Sequence, residues 1–118
     1  MNSKTKNIIG WVLTGLLALA FLMAGAAKLS GQAEMLQSFE KWGLPSIAMY
    51  LIGFAEVLGA VGLFIPKTRF LAVLGLMVLM IGAIGTHLLN GEQFIPPLVL
   101  LILLSALGWL RKPIKSNL

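Results

Sequence analysis

Four apolar runs dominate the chain, at residues 8–27, 46–65, 70–89 and 97–110. A hydrocarbon layer about 30 Å thick is crossed by around 20 helical residues rising 1.5 Å each. The runs therefore predict an all-α integral membrane four-helix bundle, forming a single membrane domain over residues 1–118. Polar and helix-breaking residues punctuate them: Lys6 and Lys28 bracket the first, Pro45 and Pro66 the second, Asn90-Gly91 ends the third, and Pro97 and Arg111-Lys112-Pro113 bracket the fourth. Pro45 and Pro97 suit first-turn positions, where a missing backbone N–H costs little. The fourth run is short: residues 97–112 give only about 24 Å of helix, so its Pro-Pro entrance is expected below the surface or under a thinned bilayer. A re-entrant segment is the alternative there. Between the first two runs, residues 31–43 read as a short amphipathic helix, with Met35, Leu36, Phe39 and Trp42 at helical spacing and Gln32, Gln37, Glu40 and Lys41 free to face water. It is expected to lie along the outer interface, as a plain connection or as a lid.

Composition agrees with the bilayer as the main partner. The chain is 58% hydrophobic and 11% charged, with mean hydropathy +0.95, whereas soluble domains carry about 25% charged residues. The net charge of +5 would suit nucleic acid only if the basic residues formed one polar face. They sit instead at the ends of apolar spans. With four crossings, one side holds Lys4, Lys6, Lys67, Arg69, Arg111, Lys112 and Lys115, and the other only Lys28 and Lys41. That split predicts a cell (inner) membrane protein with both termini in the cytoplasm. Trp11 and Trp109 then mark the inner interface and Trp42 the outer one, as anchors rather than ligand platforms. Lys4, Lys6 and Ala24-Gly25-Ala26 also fit a cleaved signal peptide, but the apolar stretch exceeds a usual h-region. Cysteine is absent, which removes disulfides, thiolate metal ligands and a thiol relay.

Candidate chemistry begins with Glu56, which has no charged neighbour within ten positions on either side. An ionised acid at a membrane helix centre costs roughly 2.5–3.5 kcal/mol, so it must be neutralised, paired or hydrated. Gly53, Gly59 and Ala60 surround it, Ala24 and Gly25 precede Lys28, and Ala83 precedes His87. Small residues let helix backbones approach, so Glu56 is expected to face a neighbouring helix or an internal cavity. Counted from a common outer boundary, Glu56 lies about 15 Å deep, His87 about 3 Å and Lys28 near zero. A direct Lys28–Glu56–His87 triad is thus not expected. A funnel open to the outer face, floored by Glu56, with Lys28 and His87 near its entrance and Thr86, Asn90 and Gln93 on its rim, fits the spacing better. Met77 and Met80 are candidates for its apolar lining. A protonated Glu56 would donate a hydrogen bond to a quinone carbonyl or another small polar head group. A structural clasp between helices is the alternative role, as a surface hydrogen bond is for His87 and a snorkelling anchor for Lys28. No nucleophile–base pair, phosphate-cradling loop or metal-ligand set is visible.

Residues 21–29 (Phe-Leu-Met-Ala-Gly-Ala-Ala-Lys-Leu), Phe39, Gly43-Leu44-Pro45, residues 53–60 (Gly-Phe-Ala-Glu-Val-Leu-Gly-Ala), Gly62-Leu63, His87 and Pro96-Pro97 together resemble the DoxX-like family of small four-span membrane proteins. The resemblance implies a four-helix membrane bundle and a link to redox systems. Relatives in that family include a quinone-reducing thiosulfate dehydrogenase subunit and a component of a membrane-associated oxidoreductase complex. An assembly chaperone of nicotinic receptors is a more distant relative. The expectation is an accessory subunit without an intrinsic cofactor, binding quinone or another hydrophobic ligand beside a redox-protein partner, with a homo-oligomer able to supply missing walls. The alternative is a scaffold or assembly factor that binds client helices through its small-residue faces.

Overall fold

The computed structural model describes residues 2–111. Five helices make it up: α1 (Ser3–Leu29), α2 (Ala33–Lys41), α3 (Ser46–Gly62), α4 (Arg69–Leu89) and α5 (Ile95–Leu110). The fold class is all-α, and the expected stops at Lys112 and Pro113 and the basic Lys115 lie outside the described residues.

Each boundary has a local cause. Asn2 caps α1 by accepting from the Thr5 N–H at 2.8 Å, so the helix starts in polar residues ahead of the apolar run. Gly31 (φ 69°) and Gly43 (φ 76°) turn the chain at the two ends of α2 in the left-handed region, where a side chain would be strained. The second apolar run was expected to stay helical to Ile65, but α3 stops at Gly62. Pro66 disfavours helical backbone at Ile65, and the exposed carbonyls of the last turn find side-chain donors. Thr68 Oγ1 donates to Gly62 O at 3.0 Å and Arg69 Nε to Leu63 O at 2.8 Å. Pro45 is the N-cap of α3 rather than its first residue, while Pro96 and Pro97 do fall in the first turn of α5.

Two helices, α1 and α4, are long and apolar enough to cross a membrane on their own. Helices α2 and α3 meet the length only as a pair bent by 118°, and α5 has 16 residues. At 17 residues, α3 alone rises about 26 Å. The described chain measures 48 × 24 × 23 Å, with α1 packed along α3, α4 along α5, and α2 folded back on α3.

Burial is inverted relative to a water-soluble protein. Large apolar side chains such as Leu51, Leu71, Val78 and Leu89 cover the outside, as lipid contact requires. Inside, Leu17, Phe21, Leu63, Leu76, Leu104 and Leu107 form a continuous core that lies toward the end of the bundle holding the N-terminus. The buried Thr14 hydroxyl is satisfied within its own helix, donating to Gly10 O at 2.7 Å. This is a membrane protein.

Candidate functional site

The opposite half of the bundle is built around a glycine contact. A Cβ on Gly25 would stand 2.7 Å from Gly53 O, and one on Gly53 would stand 2.7 Å from Lys28 Cβ. Only glycine at both positions lets α1 and α3 come this close. The contact sets the register: Lys28 leaves α1 beside Gly53, seven residues into α3, and its aliphatic stem runs one further turn to Glu56. Lys28 Nζ lies 2.9 Å from Glu56 Oε1, with the two side chains 13% and 4% exposed.

Lys28 neutralises Glu56 at contact distance, and the buried Oε1 has no further hydrogen-bond partner among the described residues. The two observations describe one arrangement: charge neutralisation at contact distance, with acceptor capacity left over. A carboxylate has about four lone-pair sites, and no described residue other than Lys28 offers a donor to those of Glu56.

A cavity of about 610 Å³ opens beside the pair. Phe39 of α2 and Trp42, which caps that helix, roof it, α4 walls it from Val78 to His87, and Glu92 and Gln93 close it from the α4–α5 loop. Val78 lines the cavity while remaining 67% exposed, so the cavity wall reaches the outer surface of the bundle.

A second polar group holds the roof. Glu92 Oε2 accepts from Lys41 Nζ at 2.7 Å, and Oε1 accepts from Trp42 Nε1 at 2.9 Å. His87 Nδ1 also lies 2.9 Å from Oε1 and must be the protonated nitrogen when it donates to a carboxylate. Trp42 stands edge-on to His87 with ring centroids 5.5 Å apart, and 5.1 Å from Phe39. The Lys41 hydrogen bond is the main cause holding the Glu92 carboxyl below its ordinary value; partial desolvation opposes it, and Trp42 and His87 add to it.

The DoxX-like family model matches residues 12–107, most of the chain and all of this site. The chain belongs to the DoxX-like family. No curated protein and no solved structure matches it.

In this DoxX-like protein, the three residues singled out from sequence share one cavity but do not form a triad. The expected separation of Lys28 from Glu56 is wrong. It assumed that every span starts in one plane, whereas the Gly25–Gly53 contact sets the end of α1 against the middle of α3. His87 makes the surface hydrogen bond that was one of its two expected roles, to Glu92. Trp42 is not a simple interface anchor, because Glu92 draws its indole N–H onto the cavity wall. Thr86 and Gln93 line the cavity with Met80, while Met77 packs against the apolar core and Asn90 instead donates to Thr86 O at 2.8 Å. Glu92 was read from sequence only as a charge. Its signal was the Asn90-Gly91 turn: with Gly91 at φ 65°, the chain reverses and brings position 92 back to His87.

Proposed function

We propose that this protein binds a hydrophobic molecule carrying a small polar head, a quinone being the class that fits best, and presents it to a redox partner in the membrane. The observation that carries the reading is the nearly buried Lys28–Glu56 pair, whose ammonium has donors to offer a ligand oxygen, beside a cavity of about 610 Å³. That volume falls in the usual range for small-ligand sites, roughly 300–1,000 Å³. A quinone ring has carbonyl oxygens at opposite edges. The Lys28 ammonium is a donor for one, and the indole and imidazole groups at the roof can turn toward the other. The Val78 side of the wall gives a ligand dissolved in lipid a way in without crossing water. With both termini in the cytoplasm of a cell-membrane protein, as the seven-to-two split of Lys and Arg supports, the roof faces outward. Electron-transfer cofactors would then belong to the partner, and catalysis is not assigned to any residue of this chain.

Extraction of the purified protein tests this directly. A quinone should co-purify and be lost from Glu56→Gln and Lys28→Met variants that remain folded. A folded wild-type protein that carries none, and whose Trp42 fluorescence ignores an added short-chain ubiquinone, overturns the reading.

A second reading has its own observation: the pair ties α1 to α3, as an interhelical clasp would. On that reading the chain is a scaffold for client helices, and cross-linking in membranes would capture an unrelated protein while no small ligand is found.

A further inference from the structure

The end of the bundle away from the cavity gathers positive charge. Arg111 lies with its guanidinium carbon 4.5 Å from the ring centroid of Trp11, and Arg69 approaches the same ring at 5.8 Å. With Lys6 and Asn7 they line a pocket of about 470 Å³ between the start of α1, the α3–α4 turn and the end of α5. Lys6 in turn lies 5.7 Å over the ring of Trp109.

The sequence has no acidic side chain to place there. Its four side-chain carboxylates are Glu34, Glu40, Glu56 and Glu92; the first two are on α2, the last is in the α4–α5 loop, and Glu56 lies within α3. Among the described residues, hydrogen bonds engage only a few of the arginine donors: Arg69 Nε to Leu63 O at 2.8 Å and Arg111 to Asn7 Oδ1 at 3.3 Å. Among the described residues, two guanidiniums therefore converge with aromatic faces for company and no counter-ion, and burial, with the charge of Arg69, pushes the Arg111 guanidinium down.

The seat of Arg111 is shaped into the backbone. Gly10 is buried, and a Cβ there would collide with Arg111 Nε. The glycine keeps a groove in α1 that the guanidinium fills. Below the pocket, Ile8 and Val12 are exposed apolar positions on α1, where an acyl chain can lie.

From this geometry we infer an anionic phospholipid site, in which Arg69, Arg111 and Lys6 hold the headgroup phosphate and the apolar face of α1 receives the tail. Arginine suits this role because its planar fork matches phosphate oxygens two at a time. Arg69 lies inside the part matched by the family, and Lys6, Trp11 and Arg111 lie outside it. Each basic residue near an anionic headgroup contributes enough that removing both arginines should weaken binding roughly thirtyfold.

The full-length protein in neutral detergent, titrated with phosphatidylglycerol or phosphatidylcholine, provides the test through its melting temperature. Phosphatidylglycerol should raise it at a lower mole fraction than phosphatidylcholine. Arg69→Gln/Arg111→Gln should shift that midpoint about thirtyfold. Gly10→Ala, which keeps every charge but unseats Arg111, should shift it in the same direction. Equal responses to the two lipids, or equal responses of wild type and double variant, overturn the site. Inorganic phosphate giving the same rise without lipid overturns the lipid assignment in favour of a free anion. Should the double variant not fold, native mass spectrometry of wild-type protein in an equal mixture of the two lipids decides. Retained phosphatidylglycerol supports the site, and unselective retention overturns it.

Discussion

Lys28→Met is the sharpest perturbation of the buried pair. It leaves Glu56, whose side chain is 4% exposed, with no charged partner and no hydrogen-bond donor among the described residues. The cheapest response is to take up a proton. For a carboxyl of ordinary pKa near 4.3 this costs about 1.36 kcal/mol per pH unit, roughly 3.7 kcal/mol at pH 7 and about 1 kcal/mol at pH 5. The larger figure agrees with the roughly 3–5 kcal/mol observed when one partner of a buried pair is removed. In the variant, the folded state then holds one more proton than the unfolded state across that window, so its stability rises as pH falls. Glu56→Gln should cost less, about 1–2 kcal/mol, because the long Lys28 stem can carry its ammonium toward water. Combining the two substitutions removes both charges and should recover about 2 kcal/mol relative to additivity. Reversible unfolding of the four proteins in detergent, at pH 7 and pH 5, measures all of these quantities. A Lys28→Met penalty equal at both pH values, or strict additivity in the double variant, would refute the argument that charge rather than packing sets the cost.

Three more substitutions separate packing from polar latching. Gly25→Ala should destabilise by about 1–3 kcal/mol through overpacking and disturb the Lys28–Glu56 contact, whereas Gly75→Ala, whose Cβ would meet nothing within 4 Å, should be neutral or slightly stabilising; thermal unfolding of both variants checks the contrast. Glu92→Gln should free Lys41, Trp42 and His87 and loosen α2, seen as a change in Trp42 fluorescence in a Trp11→Phe/Trp109→Phe background. Because the Glu92 carboxyl is held below its ordinary value, its contribution is complete above the usual carboxylate range and disappears as pH falls through the lowered value. Acidification should therefore reproduce the Glu92→Gln signal in the parent protein, and leave the variant unmoved.

The helices were legible in the sequence because bilayer thickness and hydropathy act on each segment separately. The run at residues 70–89 and the helix found there differ by a single residue. Interhelical register is a different kind of quantity. It depends on which two small residues meet, and the chain offers 13 glycines, so the pairing of Gly25 with Gly53 could not be singled out. That choice moved Lys28 from the expected surface to the side of Glu56. The polar latch was hidden for a related reason. Glu92 and Trp42 are far apart in sequence, and each has an ordinary explanation alone, as a loop charge and an interfacial aromatic. Glu56 was legible because its cost is local to its own helix.

The division of the bundle into a packed half and a hollow half has an evolutionary consequence. The apolar core at one end contains no residue of α2 or of the α4–α5 loop, yet those two segments supply Met35, Phe39, Trp42, Glu92 and Gln93 to the cavity wall. Substitutions in the roof can therefore change the size and polarity of the cavity without repacking the foundation. The lining of the cavity can thus drift while stability stays under separate selection.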